Sequence, residues 1–287
     1  MNTQSFVQNG LIVYTDLDST ILDHDDYSFD QTLPALEQLK ARQVPVIPVT
    51  SKTLVEVLSI VKKMKLAHPV IAENGSIIAF PKNYFPEQSD YLTEGGYHYQ
   101  ALASSYDDIV KALQQLRTEF GFKFVGFFDM SVDEVVHHTG LTRMDAIKAK
   151  QRIGSEPILW LDDETKRLLL TEKLAQKNLT LTKGGRFWHV MGEASKGQAI
   201  QIMNGLFVDN GYLSIKTIGL GDSPNDISML EVVDVPVIMQ SIRGEYMQCN
   251  FSDKCEKSAY PGPKGWNQWM LEFLKKDLMN QKGNGHG

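Results

Sequence analysis

The chain has 287 residues, of which 42% are hydrophobic and 22% charged; this excludes a largely disordered protein and leaves room for two compact units. A formal net charge of -6 argues against a nucleic-acid partner, which would require a basic face to displace counterions. No apolar run approaches the roughly 20 residues of a membrane span and no basic-then-apolar leader opens the chain, so the expectation is a cytoplasmic protein with no membrane partner. Cys249 and Cys255 are too few for a disulfide framework and read as ordinary thiols.

The run Gly10-Leu11-Ile12-Val13-Tyr14 reads as a buried strand, and Asp16-Leu17-Asp18-Ser19-Thr20 follows directly. Two carboxylates at the carboxyl end of a strand repel by a few kcal/mol unless a cation joins them, so they suggest a metal site; a strand that simply ends in polar residues is the plain alternative. Leu33, Leu36 and Leu39 predict a helix behind Thr32 as N-cap, with Pro34 in its first turn. Residues 44–50 predict a strand, with Pro45 and Pro48 against a central position. Leu54, Val57, Leu58, Val61 and Met64 mark an amphipathic helix, and Pro69-Val70-Ile71-Ala72 a short strand.

Asn74-Gly75 is a hairpin signal that breaks this alternation, and the polar, Tyr-rich residues 81–96 read as a crossing into a second unit. Helices are predicted behind Ser105, Ser131 and Thr142, with Gly140 as a stop. A strand over 157–161, a helix over 164–176 and a strand over 179–182 follow; Gly184-Gly185 then turns into a strand through Arg186-Phe187-Trp188-His189-Val190. Lys196-Gly197 opens a helix, 216–220 is a strand ending at Gly221-Asp222, and Ser223-Pro224 starts another helix. Residues 235–239 form a last short strand, Trp266, Trp269 and Phe273 the core face of a final helix, and 282–287 a flexible tail. The expected architecture is α/β, a Rossmann-like parallel-sheet core over residues 1–83 and 191–287 with an inserted α+β cap domain over 84–190.

Asp16 and Asp18, Thr50-Ser51-Lys52, Lys196, and Asp222 with Asn225 and Asp226 all fall at or just beyond predicted strand ends of the core. Carboxylates, one hydroxyl and a lysine make a set suited to Mg²⁺ and a phosphate. No Gly-rich anion cradle ending in Lys-Ser/Thr is present, and a calcium loop starting at Asp16 fails at Ile21 and Tyr27.

Asp16-Leu17-Asp18-Ser19-Thr20, Thr50, Lys196 and Gly221-Asp222-Ser223-Pro224-Asn225-Asp226, in this order, resemble the four motifs of the haloacid dehalogenase superfamily of phosphatases. The insert resembles the α/β (C2B-type) cap of its sugar-phosphatase branch. Val49-Thr50-Ser51-Lys52-Thr53, Ala72-Glu73-Asn74-Gly75 and Gly184-Gly185-Arg186-Phe187-Trp188-His189 resemble, more narrowly, the members that act on mannosyl-3-phosphoglycerate.

The resemblance implies that Asp16 is the nucleophile and forms an aspartyl phosphate, and that Asp18 is the general acid and then base. It implies Mg²⁺ held by the Asp16 and Asp222 carboxylates and the Asp18 carbonyl, with Asn225 and Asp226 supporting the metal and orienting Lys196. Thr50 and Lys196 would bind phosphoryl oxygens. Lys52, Glu73, Asn74, Arg186 and His189 are candidate contacts to a small phosphorylated sugar or glycerate substrate, and Arg186 suits a glycerate carboxylate, which its fork can bind bidentately. On residue type alone Lys52 reads as solvated, Glu73-Asn74-Gly75 as a turn and His189 as structural. On a regular strand Arg186 and His189 point to opposite faces, so either the strand is bulged or they contact different parts of the ligand. Asp23, Asp25 and Asp26 read as a solvated loop, and His137-His138 as helix surface. A broader sugar-phosphate phosphatase, a hexose phosphomutase and a non-catalytic metal- or ligand-binding module on the same fold stay open.

Overall fold

The computed structural model describes residues 8–86, 91–184 and 186–283. Gly185 of the predicted Gly184-Gly185 turn, residues 87–90 of the predicted crossing and residues 284–287 of the tail lie outside the described residues. In chain order the strands and helices are β1 (Gln8–Thr15), α1 (Leu33–Ala41), β2 (Val46–Pro48), α2 (Leu54–Met64), β3 (Val70–Ala72), β4 (Ile77–Pro81), β5 (Leu92–Glu94), β6 (Tyr97–Ala101) and α3 (Tyr106–Phe120). There follow β7 (Phe124–Gly126), α4 (Val132–Thr139), α5 (Arg143–Ala149), β8 (Ser155–Trp160), α6 (Glu164–Ala175), β9 (Leu179–Lys183) and β10 (Trp188–Gly192). The chain closes with α7 (Lys196–Asp209), β11 (Tyr212–Gly221), α8 (Ile227–Val232), β12 (Val235–Gln240), β13 (Glu256–Pro261) and α9 (Gly262–Gly283).

Packing divides the chain into two units, one of Met1–Ile47, Gly211–Asp222 and Leu230–Gly287, the other of Pro48–Asn210 and Ser223–Met229. The first is built on a five-stranded sheet in the order β13-β12-β11-β1-β2, with β1–β11, β11–β12 and β12–β13 all parallel. Ile12, Val13, Tyr14, Ile218 and Leu220 are wholly buried, as expected of strands covered on both faces. The short β2 ends the order, which accommodates the prolines that weigh against a central strand. Trp266, Met270 and Leu274 of α9 are buried, and Trp266 Nε1 donates to Thr15 Oγ1 at 3.1 Å, tying α9 to the end of β1.

The second unit holds two antiparallel sheets, β3-β4-β6-β5 and β7-β8-β10-β9. β3 and β4 form the predicted hairpin, and Val49 bridges Ile71 in parallel. β5 falls in the predicted polar crossing and β6 just beyond it; their turn is Gly95-Gly96, both at positive φ, which a Gly-Gly pair between strands supplies without steric cost. Against β8 and β10 pack Ile109, Leu113 and Leu116 of α3 with Leu170 and Leu174 of α6, a single apolar cluster.

Local signals set the helix ends. Thr53 and Glu56 form a capping box on α2, Ser131 and Glu134 one on α4, and Gly140 ends α4 in the left-handed region. Thr32 is a correction to the sequence expectation: its hydroxyl donates to Phe29 O at 2.6 Å inside a preceding 3₁₀ turn rather than capping α1. The strand predicted from Arg186 is likewise shortened, because Gly184 N–H donates to Phe187 O at 3.0 Å and β10 begins only at Trp188. Among the described residues no helix is long and apolar enough to cross a membrane.

Candidate active site

In the first unit, parallel pairing brings the carboxyl ends of β1 and β11 side by side. Asp16 N–H donates to Leu220 O at 2.9 Å, so pairing persists to the last residue of each strand, and Asp222 follows Gly221 at the end of β11. One carboxylate oxygen of Asp16 and one of Asp222 lie within 4.8 Å of each other, and Asp16 is buried. Beyond Asp16 the chain folds back on itself: Thr20, Ile21 and Leu22 N–H all donate to Leu17 O, at 3.2, 3.1 and 2.9 Å, and Ser19 takes φ 58°. This tight turn holds Asp18 half-buried at the strand end. Two hard oxygen donors this close, one of them buried, fit a divalent cation and repel each other without one.

In the second unit, Thr50 follows β2. It is buried, its N–H donates to Ile71 O at 2.9 Å, and its Oγ1 accepts from Lys52 N–H at 3.2 Å. The hairpin turn beside it is strained: Glu73, Asn74 and Gly75 take φ of 50°, 57° and 100° in succession. Backbone bonds hold it there, Glu73 N–H to Lys52 O and Asn74 N–H to Thr50 O, both at 2.9 Å. Only glycine fits at 75, where an added Cβ would lie 2.2 Å from Ser195 O.

That close approach carries the turn to the start of α7. Ser195 caps the helix, its hydroxyl accepting from Gln198 N–H at 3.1 Å, and Lys196 is the first helical residue. Lys196 Nζ reaches Asp226 Oδ1 at 2.5 Å, and both side chains are wholly buried. Asp226 Oδ2 also accepts from Ser223 N–H at 3.1 Å, and Asn225 Nδ2 donates to Asn74 Oδ1 at 3.0 Å. One connected frame therefore fixes Thr50, Asn74, Lys196, Asn225 and Asp226.

The remaining candidates are placed differently from one another. Lys52 is half-buried beside Thr50. Glu73 is wholly buried and its carboxylate is spent on the loop after α5: Oε1 accepts from Ile153 N–H at 2.9 Å, Oε2 from Gly154 N–H at 3.0 Å and from Ser155 Oγ at 2.8 Å. Arg186 is exposed and precedes β10, so the opposite-face difficulty does not arise. His189 lies within β10, is buried, and its pKa is pushed down to about 3 by desolvation first and then by the charges of Arg152 and Lys196. Asp25 and Asp26 are exposed in a loop and His137 on the surface of α4, as the sequence suggested.

Sequence reasoning passed over Arg152 and Glu156, which no motif marks. Glu156 is wholly buried on β8 and its pKa is raised to about 7 by desolvation, against the opposing bond from Phe128 N–H at 3.0 Å. The predicted strand began one residue later, at Pro157, whereas β8 begins at Ser155 and takes Glu156 into the sheet.

A family model for haloacid dehalogenase-like hydrolases matches residues 13–246. A protein of Persephonella marina named glucosyl-3-phosphoglycerate/mannosyl-3-phosphoglycerate phosphatase is 38% identical over 267 residues, spanning 93% of this chain and 98% of its own length. A protein of the same name from Methanococcoides burtonii is 36% identical with the same coverage. Among solved structures, a Thermoplasma acidophilum protein shares the fold with a TM-score of 0.67 at 13% identity, over 93% of this chain and 99% of that one. A single model across both sheet systems, together with two relatives aligned over almost their full length, settles the family: this chain belongs to the haloacid dehalogenase-like hydrolases, on their phosphatase branch.

Proposed function

We propose that the protein is a cytoplasmic, Mg²⁺-dependent phosphomonoesterase that hydrolyses mannosyl-3-phosphoglycerate to mannosylglycerate and phosphate through an aspartyl phosphate. The observation that carries the reading is the Asp16–Asp222 carboxylate pair at adjacent parallel strand ends. The substrates in the relatives' names support the choice of ester, and their double name favours the glucosyl compound as a second substrate with the same phosphoglycerate end. We propose residues 84–190 as the cap domain that selects the substrate, on a core of 1–83 and 191–287.

In this mechanism an Asp16 oxygen attacks phosphorus as the ester P–O bond breaks, and Asp18 gives its proton to the departing alkoxide. Asp18 then takes a proton from water, whose oxygen attacks phosphorus and breaks the bond to Asp16, releasing phosphate. The two aspartates need opposite protonation at the start, which only their different environments can supply. The Asp16 and Asp222 carboxylates and the Asp18 carbonyl would hold Mg²⁺, which when bound offsets charge between nucleophile and phosphate. Thr50 and Lys196 bind phosphoryl oxygens as charge develops. Asp226 acts by holding Lys196, and Asn225 supports the metal region while bonding Asn74. Lys52, Asn74, Arg186 and His189 are the proposed substrate contacts, with Glu73 acting through the loop it clamps.

The test is phosphate release with Mg²⁺ from mannosyl- and glucosyl-3-phosphoglycerate beside a panel of simple hexose phosphates. A kcat/KM for the phosphoglycerates at least tenfold above the hexose phosphates is expected; a flat profile sinks the substrate assignment.

A further inference from the structure

Arg152 lies in the loop between α5 and β8, a segment that carries none of the superfamily motifs. Its Nη1 donates to Ser51 O at 2.8 Å and to Ser155 Oγ at 3.3 Å. Ser155 Oγ in turn donates to Glu73 Oε2, and the same carboxylate accepts from the backbone N–H groups of the two intervening residues, Ile153 and Gly154. The guanidinium is thus mounted on a rigid frame, with one corner pinned to the carbonyl of the residue next to Thr50. Glu73 makes no direct bond to it, since both of that carboxylate's oxygens serve the loop, and the buried Glu156 carboxylate lies within its field without hydrogen-bonding it.

What the frame leaves over is informative. Arg152 Nε is buried and has no hydrogen-bond partner among the described residues. In an arginine, Nε and Nη2 form the edge that grips a carboxylate bidentately, while Nη1 lies outside it. A buried charged donor without an acceptor is costly, so its persistence here points to an acceptor that arrives with a ligand. Two neighbours in the frame share the condition. Asn74 Nδ2 and His189 Nδ1 are also buried without a partner among the described residues, although Asn74 N–H is bonded to Thr50 O. The charges of Arg152 and Lys196 both act on His189, which places its ring within the field of both. Phe127 lies under the guanidinium, 6.0 Å from its ring centroid, adding an apolar wall.

We infer that Arg152 is the carboxylate-reading residue of this enzyme, its Nε edge pairing with a carboxylate two carbons along from the phosphate-bearing carbon of the substrate. The assignment rests on Thr50 and Lys196 holding the phosphate, as proposed above. A phosphoglycerate carries its carboxylate at that position, and a simple hexose phosphate carries none. Arg186, exposed and outside β10, is then free of this task.

The test compares the wild type with R152Q, R152K and R186Q on two pairs of esters. The first pair is mannosyl-3-phosphoglycerate and its analogue with the carboxylate reduced to a primary alcohol; the second is 3-phosphoglycerate and glycerol 3-phosphate. R152Q is expected to lower kcat/KM on the carboxylate member by about 10- to 100-fold, mainly through KM, and on the alcohol member by less than about threefold. R152K should recover part of the loss, and R186Q should show no such contrast. Nη1 also anchors Ser51, but any unfolded fraction lowers both rates of a pair equally, so the contrast is insensitive to it. Equal losses on both members, or the contrast appearing in R186Q instead, overturn the inference. A contrast confined to the second pair sinks the glycosyl assignment and leaves Arg152 in its role. A wild type that prefers neither member of either pair overturns the inference, and one that hydrolyses no phosphate ester removes the phosphatase reading with it.

Discussion

Two groups of acids in this protein are wired in opposite ways. At the ends of β1 and β11 the backbone ladder brings Asp16 and Asp222 together as like charges, within 4.8 Å. Around the β3–β4 turn each acid meets donors: Glu73 accepts from two backbone N–H groups and a serine, and Asp226 from Lys196 and Ser223. The first arrangement sets like charges side by side, which a cation offsets, and suits chemistry; the second surrounds each carboxylate with donors and suits positioning. Glu156 stands between these cases, wholly buried, with Phe128 N–H on one oxygen and the other buried without a partner by hydrogen-bond geometry. Tyr106 is its neighbour: burial first, and then the Glu156 carboxylate, raises the Tyr106 pKa, while the Tyr106 hydroxyl lowers that of Glu156.

The largest test of this contrast is Asp16→Asn. It removes the nucleophile and one of the two like charges, so phosphate release should fall by on the order of 10⁴ or more while circular dichroism and melting temperature hold; unchanged turnover would falsify the nucleophile assignment. Chelating divalent metal should likewise stop turnover, and re-adding Mg²⁺ should restore it and raise the melting temperature of the wild type more than that of Asp222→Asn. Activity that survives exhaustive chelation removes the metal from the scheme.

In the satisfied region the effects should appear in stability. Asp226→Ala leaves Lys196 buried beside a void and should cost about 3 to 5 kcal/mol in denaturant unfolding. Glu73→Gln keeps the volume but exchanges a carboxylate for an amide that clashes with one of its donors, for a loss of about 1 to 3 kcal/mol. A change below the error of the measurement would show that the clamp is idle.

The smallest effect is a pH dependence. Glu156 has its folded pKa raised from 4.5 to about 7, so the stability linked to it is full below 4.5 and is lost as pH rises through about 7. His189 has its folded pKa lowered from 6.5 to about 3, so its contribution is present above 6.5 and is lost as pH falls towards 3. Glu156→Gln should therefore match the wild type near pH 4.5 and exceed it in melting temperature by a few degrees at pH 8. Parallel curves for the two proteins across that window would show that Glu156 does not titrate between them.

How far the chain could be read in advance depended on the range of the forces involved. Asp16-Leu17-Asp18, Thr50, Lys196 and Gly221-Asp222 were legible because each sits where an apolar run stops, and the side of a sheet on which a strand ends is a local property. The same holds for the caps at Ser105, Ser131 and Thr142, whose partners lie three residues away. Thr32 was misjudged because a 3₁₀ turn competed for its hydroxyl, and the strand at Arg186 because a backbone bond from Gly184 to Phe187 shortened it.

By itself, then, the sequence determined the α/β alternation, the order of the motif residues and the acids at the ends of β1 and β11, all products of hydrophobic period and strand termination. Only the tertiary structure decided which acids are satisfied. Glu73 finds its donors 80 to 82 positions away, at Ile153, Gly154 and Ser155, and Arg152 reaches Ser51 across 101. Such partners are chosen by how loops pack, and no periodicity in the chain records that choice.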